Sequence, residues 1–275
     1  MVEELLQPGH ILRGRYHINH IYHVSGMSTL YTAHDVSAAD GQPVAVKEMA
    51  IGQFIEGASE QLLDGLDTRG RLLCSLDHPH IPRTLDYFCE QGRMYLVTDY
   101  IEGQDLETLL LNGADLPVEQ VWGWGITLAD TLHYLHTLKP DPLIYRDLKP
   151  ANIMLDQQGT LYLVDFDIAG TFPHGVTLDP LGTDGYAAPE QYSGLVTPAI
   201  DIYALGATLH HLLTRVDPRL EPPFSFFERP IRRFNPTVPP ALEDAIMQAL
   251  HEDPDRRYQS AGEMGEALRR AGQPG

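Results

Sequence analysis

The sequence predicts an α+β fold, with strands in the N-terminal third and helices in most of the remainder. Short runs typical of strands occur at residues 16–21, 44–47 and 95–97, of which 44–47 alternates as a half-buried strand and 95–97 is continuously apolar. Longer runs with apolar residues at helical spacing follow at 118–138 and from residue 201. A chain of 275 residues can bury a substantial core. One unit with two lobes fits this order of elements best.

The N-terminal elements follow from local signals. A Pro8, Gly9 breaker precedes an entering strand at 16–21, and a hairpin is expected next. Residues 44–47 alternate as a strand that ends on Lys47. Residues 58–76 carry leucines at helical spacing, which predicts a helix, and residues 95–97 form an apolar strand that runs into a polar turn.

The C-terminal elements are mainly helical. Residues 118–138 predict a long amphipathic helix, and a second, apolar helix is predicted to begin at Asp201. Between them, two short strands at 153–155 and 161–164 flank a Gln158, Gly159 turn. Residues 216–240 are rich in proline and charge and predict surface loops with little regular structure.

The composition limits the possible partners and compartment. Acidic side chains outnumber basic ones 38 to 19, which disfavours nucleic acid or an anionic membrane as a partner. The two cysteines, Cys74 and Cys89, lack metal-like spacing and are interpreted as reduced thiols. No charged leader followed by an apolar stretch is seen, and no run approaches the roughly 20 apolar residues that span a bilayer. A cytoplasmic protein is therefore expected.

The polar string at 145–152 contains the strongest chemical signal. It places Asp147, Lys149 and Asn152 at spacings of two and three residues. An aspartate can orient a hydroxyl and accept its proton, a lysine can neutralise a transferring phosphoryl group, and an amide oxygen can bind a hard cation. A charged surface turn is the alternative interpretation of this string.

The string closely resembles the catalytic loop of eukaryotic-type serine/threonine protein kinases of bacteria, with Tyr145 where the family more often has histidine. The resemblance continues in the family's order of motifs from about residue 16 to 268. The matching segments are the lysine strand at 44–47, the hinge at 95–103, the metal motif at 165–167, the end of the activation segment at 182–190 and the closing helices from 253.

This resemblance implies a single protein kinase domain over residues 1–275, with a small β-rich N-lobe at about 16–101 and a larger helical C-lobe at about 102–275. Asp147, Lys149 and Lys47 would be catalytic, and Asn152 and Asp165 would bind Mg²⁺ or Mn²⁺. ATP would be the phosphoryl donor, and a protein serine or threonine would be the acceptor.

The resemblance also implies a set of nucleotide-contacting residues. These comprise the glycine-rich loop, the adenine roof and floor, the hinge and a ribose contact: Val24, Ser25, Gly26, Leu30, Ala45, Lys47, Thr98, Asp99, Ile101, Asp105 and Met154. Asp105 could equally be the N-cap of the helix that follows it.

Three departures from the family pattern favour an alternative function. His23, Ser25 and Ser28 stand where the loop glycines would be, Arg69 stands where a glutamate pairs with the strand lysine, and Asp167 replaces a glycine. The alternative is a pseudokinase that binds nucleotide or partners without transferring phosphate. A small-molecule phosphotransferase is disfavoured by Lys149 and by residues 182–190.

The resemblance yields four further expectations. Asp201 should anchor the catalytic-loop backbone, and Arg257 should pair with Glu190. The Thr183 hydroxyl should make a structural hydrogen bond near Asp147. Thr177 is the better candidate for activation-loop phosphorylation, with Arg146 to receive the phosphate; the alternative is that Arg146 pairs with an acid such as Asp167 or Asp179 and the loop is ordered without phosphate.

Overall fold

The computed structural model describes residues 5–24, 28–38, 41–49, 60–167, 169–171, 181–220 and 225–272, and side chains throughout these ranges except at 60–67 and 171. Two compact units divide the chain, Met1–Glu102 and Gly103–Gly275. The first is rich in strands and the second in helices, in agreement with the predicted order of elements.

The first unit is built on a six-stranded antiparallel sheet with the order β1-β2-β3-β4-β6-β5. One helix, α1 (Glu60–Ser75), joins β4 to β5. The strands are β1 (Ile11–Leu12), β2 (Tyr16–Val24), β3 (Ser28–Asp35), β4 (Gln42–Met49), β5 (Thr84–Glu90) and β6 (Arg93–Asp99).

One face of this sheet forms a buried cluster, because alternate residues of a strand point to the same side. The cluster includes Tyr31, Val44, Val46, Tyr95 and Val97. Residues of the intervening positions, among them Ala45 and Lys47, belong to the opposite face.

The lysine strand extends past its predicted end at Lys47 and reaches Met49. Glu48, which is buried, accepts a hydrogen bond from the Tyr31 hydroxyl at 2.9 Å and pairs with Arg93. These partners satisfy a carboxylate inside the sheet, so the strand can continue through an acidic residue.

Arg15 and Asp35 form a bidentate ion pair where β2 begins and β3 ends. Arg15 donates from Nε to Oδ1 at 2.9 Å and from Nη2 to Oδ2 at 2.6 Å. Ser37 donates to Oδ1 from both its backbone nitrogen and its hydroxyl. The Arg15 hydrogen bonds are the main cause that holds the pKa of Asp35 well below its usual range.

This lowered pKa makes part of the stability of the first unit dependent on pH. A carboxylate with a depressed folded-state pKa stabilises the fold above its unfolded pKa of about 4 and loses that contribution as the pH falls. We expect Asp35→Asn to lower the free energy of unfolding at neutral pH by about 1.5–3 kcal/mol. Urea titrations at a series of pH values should show the difference from the native chain shrinking below about pH 4.

The control for this prediction is Asp115→Asn, because Asp115 is exposed and its replacement should change stability little at any pH. A constant difference between Asp35→Asn and the native chain across the acid range would contradict the assignment.

The second unit begins with a strand and contains six of the helices. Its helices are α2 (Leu106–Leu111), α3 (Val118–His136), α4 (Pro198–Thr214), α5 (Ile231–Phe234), α6 (Pro240–Ala249) and α7 (Ala261–Ala271). Its strands are β7 (Gly103–Asp105), β8 (Leu143–Ile144), β9 (Ile153–Asp156), β10 (Leu161–Leu163) and β11 (Gly170–Thr171). They form an antiparallel β10-β9-β7 sheet and a β11-β8 pair.

Helix α4 lies almost entirely inside the second unit. It begins at Pro198 and not at the predicted Asp201, because proline fits the first turn of a helix, where its missing N–H is not needed. Burial lowers the pKa values of His210 and His211 to about 4, so both rings are neutral at pH 7. The Tyr186 hydroxyl bonds to Nδ1 of His211 at 2.7 Å, which fixes one ring against the segment after Gly185.

The prediction of irregular surface loops at 216–240 is wrong for part of that range. The described part includes α5 and a 3₁₀ turn, Phe226–Glu228. Phe226, Ile231 and Val238 are buried. These apolar side chains anchor a segment whose proline content alone suggests a loop.

Two further predictions concern the cysteines and a membrane-spanning helix. Cys74 and Cys89 are free thiols and exposed, as expected for reduced cysteines. None of the helices in the described ranges combines the length and the apolar character needed to cross a bilayer.

Candidate active site

Asp201, at the start of α4, holds the backbone of the catalytic loop. Its carboxylate is fully buried and accepts hydrogen bonds from the backbone nitrogens of Tyr145 at 2.8 Å and Arg146 at 2.7 Å. His136, at the end of α3, bonds to the same carboxylate through Nε2 at 2.8 Å. The predicted anchoring by Asp201 is therefore confirmed, and His136 is a partner that sequence reasoning missed.

Tyr145 links the loop to the segment that carries Asp165. Its ring is fully buried and meets the Phe166 ring edge-on, with 5.1 Å between centroids. Its hydroxyl donates to the carbonyl oxygen of Val164. Burial raises the pKa of Tyr145 well above its ordinary value, so the hydroxyl stays protonated and remains a donor.

Asp147 lies at the centre of the predicted catalytic group. Its Oδ1 accepts a hydrogen bond from the Thr183 hydroxyl at 2.6 Å. Its Oδ2 accepts from Lys149 Nζ at 2.8 Å and from Asn152 Nδ2 at 3.0 Å. Both oxygens of the carboxylate are thus held by side chains that the sequence analysis expected near Asp147.

Lys149 and Thr183 complete this group. Lys149 Nζ also donates to Thr183 Oγ1 at 2.7 Å, so a threonine 34 residues further along the chain bridges the lysine and the aspartate. The expected structural hydrogen bond of Thr183 is confirmed. The side chains of Asp147 and Lys149 are 19% and 20% exposed, which leaves them accessible to a substrate.

Asn152 and Asp165 are linked by the backbone between them. The nitrogen of Val164 donates to the carbonyl oxygen of Asn152 at 3.0 Å, immediately before Asp165. Asn152 uses Nδ2 as a donor toward Asp147, so its amide oxygen is the group left to act as a ligand. An amide oxygen and a carboxylate are oxygen ligands of the kind that Mg²⁺ and other hard cations prefer. The residues present fit a divalent cation.

Asp167 is accommodated where the family has glycine. Asp165, not Asp167, has a positive φ, of 61°. The nitrogen of Asp167 donates to Asp165 Oδ1 at 3.2 Å. A residue with a Cβ therefore fits at position 167 in this conformation.

The end of the activation segment is fixed by a buried ion pair. Arg257 donates from Nη1 to Glu190 Oε1 at 2.6 Å and from Nη2 to Oε2 at 2.8 Å, as predicted. The Arg257 side chain is fully buried and also donates to three backbone carbonyls, including that of Ala199. Thr177 lies outside the described residues.

Four predicted nucleotide contacts in the first unit belong to one face of its sheet. Leu30 lies opposite Lys47 across β3 and β4, and Ala45 lies opposite Thr98 across β4 and β6. This is the face opposite the buried cluster.

The other predicted contacts of the first unit are less closely grouped. Val24 ends β2 and is exposed, whereas Ser25 and Gly26 lie outside the described residues. The Asp99 carboxylate is bound by Arg83, and the Asp99 backbone nitrogen donates to the carbonyl oxygen of Arg83 at 3.0 Å. Ile101 is partly buried beyond the end of β6.

Asp105 acts as a helix cap in the second unit. Its carboxylate accepts from the Thr108 nitrogen at 2.7 Å and the Thr108 hydroxyl at 2.6 Å. Of the two roles considered for Asp105, capping is the one observed. Met154 lies opposite Asp105 in the β7–β9 pairing.

Arg69 lies on α1 and is partly buried. Its positive charge acts on Tyr87 and partly offsets the effect of burial, which raises the pKa of that hydroxyl. The adjacent Gly70 packs directly on the Tyr87 ring, where a Cβ would collide with ring carbons. Arg69 is therefore close to the packed contact of α1 with β5.

Comparison with known proteins decides the family. The model of the protein kinase domain matches residues 26–264. The chain belongs to the protein kinase family. A probable serine/threonine-protein kinase of Streptomyces coelicolor is 32% identical over 271 residues, which cover 92% of this chain and 39% of the relative. The serine/threonine-protein kinase PrkC of Bacillus subtilis is 30% identical, over 93% of this chain and 40% of the relative.

A solved structure agrees with this assignment. The kinase domain of PknI from Mycobacterium tuberculosis superposes with a TM-score of 0.74 at 25% identity, covering 97% of this chain and 100% of that domain. The predicted bacterial serine/threonine kinase resemblance and the two-lobed kinase fold class are confirmed. Membership implies ATP as the phosphoryl donor and a divalent cation, and none of these comparisons favours the pseudokinase alternative.

The chain is much shorter than these curated relatives. The chain spans about two fifths of the curated relatives it matches, 39% and 40% for the two proteins above.

Proposed function

We propose that this chain transfers the γ-phosphoryl group of ATP to a serine or threonine hydroxyl of a protein. The observation that supports this best is the group formed by Asp147, Lys149 and Thr183, joined by three hydrogen bonds of 2.6–2.8 Å. Relatives named as serine/threonine kinases support the same activity.

Asp147 is the proposed proton acceptor. Its two oxygens are held from opposite sides, by Thr183 on one and by Lys149 and Asn152 on the other. A substrate hydroxyl that donates to this carboxylate is oriented for attack on the phosphoryl group and gives up its proton there. The Lys149 ammonium beside it stabilises negative charge on the phosphoryl oxygens.

Asn152 and Asp165 are the proposed ligands of Mg²⁺ or Mn²⁺. When bound, such an ion neutralises charge on the phosphate oxygens of the nucleotide. Lys47 is the proposed contact of the α and β phosphates. The remaining nucleotide contacts are proposed as follows: Val24, Ser25, Gly26, Leu30, Ala45, Thr98, Asp99, Ile101, Asp105 and Met154.

The organisation of the chain is part of the proposal. We infer one kinase domain over 1–275, with lobes at about 16–101 and 102–275, acting in the cytoplasm on a protein and not on nucleic acid. The excess of acidic over basic side chains, 38 to 19, supports the exclusion of nucleic acid.

A transfer assay tests the proposed function. Purified chain is incubated with γ-labelled ATP and a mixture of protein substrates, with Mg²⁺, Mn²⁺ or a chelator. Label on phosphoserine and phosphothreonine, dependent on either cation, is the expected result. A chain that ATP and Mg²⁺ stabilise against heat, but that transfers no label with either cation, would support the pseudokinase alternative.

A further prediction concerns Arg69. If its charge opposes phosphate binding by Lys47, Arg69→Glu should supply the acid that the family pattern has there and tighten ATP binding. The expected gain is several-fold, because a partly exposed pair contributes up to about 1 kcal/mol. Calorimetric titration with ATP at low and high salt measures it, and the gain should shrink as salt screens the charges.

The matched control is Arg71→Glu, which makes the same charge change two residues along α1, where side chains do not share a helix face. A weaker affinity in Arg69→Glu alone would show instead that Arg69 contacts the phosphates itself.

A further inference from the structure

Gln191 is a buried amide that no part of the proposed chemistry uses. It lies in the 3₁₀ turn Pro189–Ser193 and is 2% exposed. Its Nε2 donates to the carbonyl oxygen of Arg146 at 2.9 Å and to the carbonyl oxygen of Leu181. One primary amide nitrogen thus joins two segments of the chain. The two carbonyls that it binds, those of Arg146 and Leu181, are 35 residues apart in the sequence.

The first of these segments is the catalytic loop. Arg146 has a left-handed backbone, with φ of 73°, which is unfavourable for a residue with a side chain. Its N–H is bound by Asp201 and its carbonyl by Gln191. The backbone of Arg146, immediately before Asp147, is therefore held at both of its polar groups.

The second segment carries Thr183. Leu181, whose carbonyl Gln191 binds, is two residues before Thr183. Between them, Gly182 lies so close to Gln191 that a Cβ would be 2.7 Å from Nε2. This close approach requires glycine and shows that the segment is packed directly on the amide.

We infer that Gln191 is a positioning residue that sets the distance between the catalytic loop and the Thr183 segment. The two hydrogen bonds of Gln191 keep the Asp147 carboxylate and the Thr183 hydroxyl at the distance at which they bond to each other. This inference rests on the proposed kinase function, because it concerns how Asp147 and Thr183 receive the acceptor peptide.

The chemistry of the site favours an amide. Two carbonyl oxygens need two donors, and a primary amide supplies both from one nitrogen without a charge. A methionine of similar length removes the donor that the two carbonyls share in the interior. An ionised glutamate would set a negative charge against two carbonyl dipoles.

The test compares Gln191→Met and Gln191→Glu with the native chain in steady-state transfer to a peptide. We expect kcat/KM for the peptide to fall by about 10- to 100-fold, since small displacements of reacting groups cost rates of this order. KM for ATP should stay within about twofold, because the two hydrogen bonds of the Gln191 side chain go to the catalytic loop and to the Thr183 segment, and to none of the proposed ATP contacts.

The pH profile gives a readout that loss of packing alone would not produce. Burial and the facing carbonyls should raise the pKa of the new carboxyl in Gln191→Glu, and its protonated form can donate one hydrogen bond. The activity of this variant, relative to the native chain, should therefore recover as the pH is lowered, whereas that of Gln191→Met should not.

Asn235 provides the matched control. Its Nδ2 donates to the carbonyl oxygen of Leu213 at 3.1 Å, away from the catalytic loop. Asn235→Leu and Asn235→Asp remove a comparable amide–carbonyl bond and should leave kcat/KM for the peptide within about twofold of the native value.

A double-mutant cycle with Thr183→Ala tests the route of the effect. If Gln191 acts by placing Thr183, the two substitutions together should cost much less than the product of their separate losses. Multiplicative losses, or a native-like kcat/KM in folded Gln191→Met, would overturn the inference while leaving the kinase function standing.

Hydrogen exchange keeps the inference testable if the native chain proves inactive. Amide exchange in Gln191→Met should quicken together in residues 145–149 and 181–186 and stay native-like in α7. Faster exchange in only one of the two segments, or in neither, would overturn the inference independently of any assay of phosphate transfer.

Discussion

Asp147→Asn is expected to lower kcat for phosphoryl transfer by about 10²- to 10⁴-fold, the range usually lost with a general base. Asparagine keeps the shape of the side chain but cannot accept the proton of the substrate hydroxyl. The free energy of unfolding of the variant should stay within about 1–2 kcal/mol of that of the native chain, because Asp147 is partly exposed in a polar site. Initial rates with labelled ATP and thermal unfolding of the same preparations measure both quantities.

The control for this variant is Asp156→Asn. Asp156 also accepts two hydrogen bonds, from the nitrogens of Gln158 and Thr160, but in the turn between β9 and β10. The Asp156→Asn variant should lose some stability and little activity. Equal turnover in Asp147→Asn and the native chain would remove the proposed mechanism.

Asp201→Ala is expected to lower the free energy of unfolding by about 3–5 kcal/mol, because each buried donor left without an acceptor costs about 1–3 kcal/mol. The substitution leaves three donors without an acceptor in the interior: the backbone nitrogens of Tyr145 and Arg146, and His136 Nε2. The catalytic loop would lose its anchor, so activity should fall even in the fraction that stays folded. Urea denaturation followed by circular dichroism gives the first number, and the transfer assay gives the second.

Asp130→Ala is the matched control for this loss. Its carboxylate is 47% exposed and pairs with Arg269 on the surface, so removal should cost about 1 kcal/mol or less. A similar small cost for Asp201→Ala would mean that the buried carboxylate does not hold the loop.

The sequence predicted elements well where one local pattern decides the structure. A continuous apolar run located β6, and helical spacing located α3 within two residues of its observed end. Alternation failed at Glu48, where a buried acid continues β4 because Arg93, 45 residues away, pairs with it. A partner that distant leaves no mark in the local sequence.

The candidate site also contains residues that a local pattern reveals and residues that depend on distant partners. Asp147, Lys149 and Asn152 could be found because their spacing in one short string has a chemical meaning. Gln191 and His136 could not, since a single glutamine or histidine matches no pattern and their partners lie 45 and 65 residues away. Asp105 remained ambiguous because an aspartate before a helix is a common cap whether or not it also meets a ligand.

Strand β7 bears on how the chain could be shortened for expression. Although only three residues long, β7 is hydrogen-bonded to β9, and its Gly103 lies against the backbone of Leu155 with no room for a Cβ. A fragment meant to contain the second unit alone should therefore start before Gly103, with any purification tag added upstream. A fragment that starts at Leu106 would lose the Asp105 cap of α2 and leave the backbone of β9 open to pairing with another molecule.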